Sequence, residues 1–331
     1  MIITAVELIN FRNYQKVRFE IDTKTMIVGD NGVGKTNILE AIYMLASGKS
    51  FRADSDRELI RYGEQFASVQ CTAGSLQLRI FIDGKKRFEV NGVARRMTDF
   101  VGNLRAVKFG PEDMEIITGS PSGRRRYLDM VISQKDREYR RCVVSYEKGL
   151  RQRNKLLDFI RDGTAARQQL WFWDKLLIKD GNYLTETREK YLEYLDLNNQ
   201  GFKTFYDKSI ISEARLKQYE NEEVAAGSTL VGPHRDDFAV LFSDRDVSKY
   251  GSRGQQRMAV LALKIWELKY LTNDQLPVLL LDDVFSELDH KHRDQVLKLA
   301  QKHVEDGGQV IMTTADEHLA PSDGWKKIRL Q

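Results

Sequence analysis

Two short motifs at opposite ends of this chain of 331 residues limit the folds that it can adopt. Near the N-terminus, residues 29–36 read GDNGVGKT and match the pattern G-x-x-x-x-G-K-[ST]. Near the C-terminus, the apolar run 278–281 is followed by Asp282 and Asp283. Together they predict the two halves of one nucleoside-triphosphate site, so the site must be assembled from both ends of the chain, with the remaining residues inserted between them.

The first motif has the flanking sequence that a phosphate-binding loop needs. Residues 25–28 predict a short buried strand that enters the loop, and residues 38–45 predict a helix that leaves it. Such a helix directs its free N–H groups and its partial positive charge at an anion. We therefore predict that the loop binds ATP or GTP through Gly29, Asp30, Asn31, Gly32, Val33, Gly34, Lys35 and Thr36.

The acidic pair supplies the carboxylates that the loop lacks. Its apolar run predicts a central parallel strand, and a carboxylate at the C-terminal end of such a strand emerges where open α/β sheets bind ligands. We expect Asp282 and Thr36 to hold Mg²⁺, while Lys35 contacts the β- and γ-phosphates. Asp283 is the candidate for orienting the attacking water, so Asp283 and Lys35 are the predicted catalytic residues.

A second helix N-terminus is also suited to meet an anion. Ser252 is a natural N-cap for a helical pattern that runs to residue 271, and Gln255 occupies its third helical position. Gly254 leaves the backbone amides unobstructed. On spacing alone, an ordinary capping box is the favoured interpretation of this pattern.

The segment between the two halves changes from strands to basic helices. Residues 76–90 predict a hairpin with Asp83-Gly84 as its turn, whereas long helices are expected over 139–161 and 168–195. The aromatic cluster of Trp171, Phe172 and Trp173 is predicted to lie in the core. From Ser120 to Lys155 there are eleven Lys/Arg and four Asp/Glu, an excess larger than the net charge of +4 of the whole chain. Such a stretch is either a solvated face or a surface that follows phosphates.

The second helix N-terminus resembles the signature motif of the ABC ATPase superfamily. The resemblance implies that Ser252, Gly254 and Gln255 bind the γ-phosphate of a nucleotide held by a second subunit. Residues 286–289 resemble the D-loop of that superfamily, which adds Ser286 and Asp289 to the candidates. Arg12 resembles the arginine that related ATPase heads direct at the nucleotide phosphates.

The ordered set of motifs resembles the RecF family of bacterial recombination mediators over nearly the full length. Besides the motifs above, the matching runs are 8–14, 48–52, 109–113, 119–129 and 232–237. The resemblance implies an α/β fold in which an ABC-type P-loop ATPase head, built from N- and C-terminal segments (1–108 and 224–331), encloses a compact helical arm (109–223). It also implies DNA contacts by the basic cluster Arg124, Arg125 and Arg126.

The function implied by this family is that of an ATP-dependent DNA-binding protein. It would dimerise around two nucleotides with Mg²⁺, on double-stranded or gapped DNA and single-strand junctions. With RecO and RecR as partners it would promote RecA loading at gaps, in the cytoplasm at the nucleoid.

Three departures from the superfamily pattern predict slow hydrolysis. The residue after the Mg²⁺ aspartate is the shorter Asp283 instead of glutamate, and Thr313-Thr314 replaces the expected switch histidine. Where a lobe-bridging glutamine is expected, Glu112 is the candidate substitute. We therefore predict a weak ATPase that acts as a switch.

Two alternative functions share the nucleotide motifs. In a transporter ATPase subunit the loop and the signature would lie about a hundred residues apart, whereas more than two hundred separate them here. A DNA-end ATPase head related to Rad50 would carry a long coiled coil, and no sustained heptads are present. The sequence has no apolar run of ~18 residues to cross a membrane and no signal peptide. Cys71 and Cys142 lie far apart, which is typical of a reducing cytosol and argues against structural zinc.

Overall fold

A computed structural model gives the fold and describes residues 1–198, 201–272, 275–284, 290–315 and 324–330. The chain forms two compact units. The terminal unit contains Met1–Asp113 and Lys264–Gln331, and the central unit contains Met114–Leu263.

The strands are concentrated in the first third of the chain and near its C-terminal end. In chain order they are β1 (Ala5–Phe11), β2 (Tyr14–Glu20), β3 (Lys24–Val28), β4 (Ala67–Ala73), β5 (Leu76–Ile82), β6 (Lys86–Val90), β7 (Val93–Arg95), β8 (Ala106–Phe109), β9 (Phe202–Asp207), β10 (Asp237–Phe242), β11 (Arg245–Asp246), β12 (Val278–Asp282), β13 (Gln309–Thr314) and β14 (Lys326–Arg329).

The helices dominate the middle of the chain. In order they are α1 (Lys35–Ser47), α2 (Met97–Phe100), α3 (Glu115–Thr118), α4 (Pro121–Lys135), α5 (Arg137–Arg161), α6 (Trp171–Asn198), α7 (Glu213–Gln218), α8 (Glu220–Ala226), α9 (Val247–Tyr250), α10 (Arg253–Leu271) and α11 (His290–Glu305). Among the described residues, no helix is both long and apolar enough to cross a membrane.

A parallel five-stranded sheet in the terminal unit joins the two ends of the chain. Its strand order is β14-β3-β13-β12-β8, and every neighbouring pair is parallel. All residues of β8, β12 and β13 are buried, as expected for strands covered on both faces. In the register, Thr313 lies opposite Asp282 and Thr314 lies opposite Val28. The C-terminal ends of β3, β13 and β12 therefore meet at one edge.

Helix α1 packs between this sheet and a second sheet of the same unit. The second sheet is antiparallel, with the order β2-β1-β4-β5-β6-β7. Helix α1 contacts β4 and β5 of the antiparallel sheet and β8, β12 and β13 of the parallel one. Nearly all of its side chains after Asn37 are buried. The hairpin predicted over 76–90 is confirmed as β5 and β6, and Gly84 in its turn has a φ of 87°.

The central unit is built on the α5–α6 helical hairpin. The predicted helices 139–161 and 168–195 correspond to α5 and α6, which pack against each other. Leu177, Leu184 and Tyr191 recur every seventh residue on α6 and are buried. A three-stranded antiparallel sheet with the order β11-β10-β9 completes the unit, and its strand β9 contacts α6.

The aromatic cluster at the start of α6 departs from the core position that the sequence predicted. Trp171 is 62% exposed and Phe172 is 56% exposed. Trp173 is half-buried and faces Gly149 of α5. The prediction was wrong for the first two rings because they lie in the first turn of α6, before the buried positions that begin at Leu177.

The central unit also extends beyond the arm predicted over 109–223. It reaches Leu263, because β10 pairs with β9 along its whole length and α4 packs against β10. Strand signals after residue 224 were assigned from the sequence to the ATPase head. Sequence periodicity identifies a strand but not the sheet in which it pairs.

A buried ionic network holds the centre of this unit together. Arg188 is 3% exposed and donates hydrogen bonds to Asp129 Oδ1 (2.9 Å) and Asp236 Oδ2 (3.2 Å). Asp236 is fully buried and also accepts from the hydroxyl of Tyr206 and from the amide of Ser209. Burial acts to lower the pKa of Arg188, but the Asp129 carboxylate and the neighbouring Tyr139 and Tyr206 outweigh it, and the pKa lies well above its ordinary value. The 232–237 run is thus a structural element.

Replacing Asp236 with alanine should destabilise the central unit strongly. The change leaves Arg188 buried with one carboxylate instead of two, and breaking a buried ion pair costs about 3–5 kcal/mol. Urea unfolding followed by circular dichroism measures the free energy of unfolding. Asp158→Ala is the control, because the Asp158–Arg161 pair on α5 is nearly half exposed and should be worth less than ~1 kcal/mol. Equal losses in both variants would contradict a structural role for the network.

Candidate nucleotide-binding site

The predicted phosphate loop connects β3 directly to α1. Gly32 and Gly34 have φ angles of 86° and 109°, in the left-handed region that favours glycine. Helix α1 begins at Lys35, immediately after Gly34. The Lys35 ammonium donates to the carbonyl oxygens of Gly29 (2.6 Å) and Asp30 (2.9 Å). The loop thus curves around a cation at a helix N-terminus, which is an arrangement suited to polyphosphate.

The turn between β1 and β2 supports the loop from one side. The Asn13 amide donates to the carbonyl of Val33 (2.9 Å), and the Tyr14 hydroxyl donates to that of Gly34 (3.1 Å). Burial raises the pKa of Tyr14 to about 12, so this hydroxyl keeps its proton at neutral pH. Sequence reasoning missed these two roles, although both residues belong to the 8–14 run.

Arg12, in the same turn, contacts the side of α1. Its guanidinium forms two hydrogen bonds to the Glu40 carboxylate, at 2.9 and 2.7 Å, and a third to the carbonyl of Glu58. Glu40 is fully buried and also accepts from the hydroxyl of Ser50. The structure therefore gives Arg12 a partner on the helix that follows the phosphate loop, and its contact with phosphates stays a prediction.

Asp282 meets the phosphate loop at the edge of the parallel sheet. Its Oδ1 accepts from the Thr36 hydroxyl (3.0 Å) and from the Thr313 hydroxyl (2.6 Å). Burial raises the pKa of Asp282 above its ordinary value, although both hydrogen bonds act in the opposite direction. The structure brings Thr36 and Asp282 together across 246 residues of sequence.

Asp283 follows in a backbone conformation that few residues adopt. Its φ is 45°, and its amide donates to the carbonyl (3.2 Å) and to the hydroxyl oxygen (3.0 Å) of Thr313. Thr313 therefore positions both acidic residues. It stands where the sequence pattern led us to expect a switch histidine, so the replacement has a visible structural role.

A buried lysine on the neighbouring strand adds a positive charge close to Asp282. Lys108 of β8 is 3% exposed and pairs with Glu112 (2.7 Å) and Asp113 (3.6 Å). Burial acts to lower its pKa, but the charges of Asp113 and Glu112 outweigh it, and the pKa lies above its ordinary value. Glu112 raises the pKa of Asp282 and Lys108 lowers it. The sequence signal for Lys108 was a lone charge within an apolar strand.

The signature residues form the capping box that their spacing predicted. The Ser252 hydroxyl accepts from the Gln255 amide (3.2 Å), and the Gln255 side chain accepts from the Ser252 amide (2.8 Å). Ser252 and Gly254 are exposed at the start of α10. The D-loop candidates Ser286 and Asp289 lie outside the described residues.

The basic cluster predicted to contact DNA has partners within the central unit. Arg124 forms two hydrogen bonds to the Asp237 carboxylate (2.6 and 2.8 Å), and Arg125 donates to the carbonyl of Asp236 (2.8 Å). Arg126 also has an interaction partner. DNA contact by these three residues stays a prediction.

The residues at this edge fit a nucleoside triphosphate with Mg²⁺. The Thr36 hydroxyl and the Asp282 carboxylate lie 3.0 Å apart, and such oxygen ligands are those that Mg²⁺ prefers. The cation of Lys35 and the N-terminus of α1 are placed for the phosphates.

Comparison with known proteins agrees with this geometry. Residues 2–328 match the family described as RecF/RecN/SMC N terminal domain. The DNA replication and repair protein RecF of Thermomicrobium roseum is 36% identical over 355 residues, which cover 90% of each chain. That of Lachnoclostridium phytofermentans is 36% identical, covering 90% of this chain and 89% of the relative.

Solved structures show the same fold. The recombination mediator protein RecF with ATP has a TM-score of 0.89 and 32% identity, covering 98% of this chain and 95% of that one. The Smc head domain of Pyrococcus furiosus, with a TM-score of 0.53 and 18% identity over 99% of this chain and 94% of that one, supports the fold alone. These likenesses confirm the predicted α/β ATPase-head fold with a helical segment.

Replacing Gly34 with alanine should weaken nucleotide binding. A Cβ there would lie 2.6–2.9 Å from side-chain atoms of Asn13 and Tyr14, at a φ of +109°. We expect at least a roughly tenfold loss of affinity for a fluorescent ATP analogue, since strained backbone alone costs about 1–3 kcal/mol. Gly63→Ala is the matched control, because Gly63 has a φ of +86° with open space around it. Unchanged nucleotide affinity in Gly34→Ala would show that the loop does not hold the ligand.

Proposed function

Because the chain belongs to the RecF/RecN/SMC N terminal domain family, we propose that it is an ATP-dependent DNA-binding switch of recombinational repair. The observation that carries the proposal is the contact of Thr36 with Asp282, which completes a nucleotide site at the sheet edge. The relatives that are 36% identical over 90% of the chain, named as DNA replication and repair proteins, support the biological role.

Each residue of the site has a role in the proposed hydrolysis of ATP. Lys35 and the loop amides bind the β- and γ-phosphates, and Thr36 with Asp282 would hold Mg²⁺. When bound, Mg²⁺ neutralises charge on the phosphate oxygens. Asp283, positioned by Thr313, orients the water that converts ATP to ADP and phosphate. Its short side chain makes this a slow reaction.

The exposed signature supports a homodimer in which each subunit completes the site of the other. Ser252, Gly254 and the α10 N-terminus would bind the γ-phosphate held by the second subunit. ATP then favours the closed dimer, since only that state makes these contacts, and hydrolysis removes them. In this proposal the ATP-bound dimer holds DNA and acts with RecO and RecR to load RecA at gaps, in the cytoplasm at the nucleoid.

Lys35→Met should abolish ATP-driven dimerisation. The variant loses the cation that balances the phosphate charge, so ATP should leave the light-scattering mass at the monomer value. Lys85→Met, in the exposed turn after β5, is the control and should dimerise like the wild type. A Lys35→Met protein that dimerises normally would contradict the assignment of the phosphate loop.

Ser252→Arg separates nucleotide binding from dimerisation. In the in-trans mechanism a subunit's own site lacks Ser252, so affinity for a fluorescent ATP analogue should be nearly unchanged. A bulky cation at the α10 N-terminus opposes the helix dipole and obstructs the second subunit's nucleotide, so dimerisation and hydrolysis should fail together.

The control for this variant is Ser212→Arg, which removes a similar N-cap from α7 and should preserve both activities. Mixing Ser252→Arg with Lys35→Met should restore at most one competent site per dimer. If Ser252→Arg alone prevents nucleotide binding, the signature acts on its own subunit and the in-trans mechanism is wrong.

A further inference from the structure

The structure separates the cations of the basic segment into two groups. Several have partners inside the central unit: Arg124 pairs with Asp237, Arg153 is 2% exposed and pairs with Glu223, and Arg140 is 7% exposed. In contrast, Lys148 and Arg151 on α5 are exposed and form no ion pair with any described residue. The local charge excess that reaches solvent is therefore concentrated on α5.

Three exposed cations of α5 lie on one face of the helix. Lys148, Arg151 and Lys155 are separated by three and four residues, and Phe159 follows four residues later. Side chains at this spacing point in the same direction, about 5 Å apart along the axis. Glu147 lies at the margin of the face, and Asp158, also at the margin, pairs with Arg161. The face presents one cation per helical turn.

Exposed aromatic rings with cations beside them lie at one end of this face. Phe159 is 45% exposed, and the Lys155 ammonium lies 5.6 Å from its ring centroid. Trp171 is 62% exposed, and the Lys175 ammonium lies 4.2 Å from its ring. The short connection from α5 to α6 places both rings at the same end of the helical hairpin. Exposed rings beside cations suit a partner that offers both negative charge and flat apolar surface.

We propose that this face binds a single strand of DNA, with phosphates along Lys148, Arg151 and Lys155 and unstacked bases on Phe159 and Trp171. The assignment rests on the proposed function and names the surface that performs it. A single strand offers what the face requires, since its phosphates match a row of cations and its bases stack on exposed rings. Duplex DNA shields its bases and leaves the rings without a role.

The proposed contact of the three cations with phosphates is tested by fluorescence anisotropy. The full-length protein is titrated onto fluorescent oligo(dT) in the presence of ATP over a range of salt concentrations. The triple variant Lys148→Ala, Arg151→Ala, Lys155→Ala should lower the slope of log K against log salt by about 2, at ~0.7 per lost contact with a single strand. Lys85→Ala, Lys190→Ala, Lys217→Ala removes three exposed charges elsewhere and should leave the slope unchanged. A wild-type slope in the first variant would overturn the proposal.

The proposed stacking of bases on the exposed rings is tested with Trp171→Ala and Trp171→Phe, whose binding to oligo(dT) is compared with binding to a duplex of equal length. The alanine variant should bind oligo(dT) about tenfold more weakly with an unchanged salt slope, the phenylalanine variant should retain most of the affinity, and duplex binding should not change. Equal effects on single strand and duplex, or no effect on either, would overturn the single-strand assignment.

Two further outcomes separate this inference from the proposed function. Suppose that the wild type binds DNA and that the triple charge variant binds it equally well but no longer binds poly-glutamate. The face then binds an acidic protein, and this inference fails while the proposed function stands. If the wild type binds neither oligo(dT) nor duplex, the inference and the proposed DNA-binding function fail together.

Discussion

The hydrogen bonds that Thr36 and Thr313 donate to Asp282 are the constraint on which the nucleotide site depends. Asp282 and Thr313 lie at the C-terminal ends of the parallel strands β12 and β13, and Thr36 is the last residue of the phosphate loop that follows β3. The three residues meet only if β3, β13 and β12 lie side by side. That order joins residues from the two ends of the chain. The terminal unit is therefore complete only when both ends have folded together, and the site cannot form from either end alone.

The central unit uses its charges in two different ways. Inside it, Arg188 and Asp236 form a buried network that is costly to break and holds α4, α6, β9 and the start of β10 in one arrangement. On its surface, Lys148 and Arg151 of α5 form no ion pair with any described residue. The same basic segment thus contributes both to the packing of the unit and to an exposed face. The exposed fraction of each side chain distinguishes the two roles.

Much of the terminal unit could be predicted because its motifs have local signatures. The glycine pattern and the apolar run before Asp282 each report a backbone geometry that neighbouring residues determine, as does the Ser252–Gln255 spacing in the central unit. The contacts of Asn13 with Val33 and of Lys108 with Glu112 are different, because they depend on which elements pack together. The exposure of Trp171 and the pairing of β10 with β9 also depend on tertiary packing, which periodicity does not report.

Isothermal titration calorimetry of ATP, with and without Mg²⁺, tests the central claim most directly when wild type is compared with Asp282→Asn. If Asp282 holds the metal beside the phosphate loop, Mg²⁺ should strengthen ATP binding by the wild type, and the amide should remove most of that gain while binding without metal persists. An equal Mg²⁺ dependence in both proteins, or no ATP binding by the wild type, would contradict a nucleotide site assembled from the two ends of the chain.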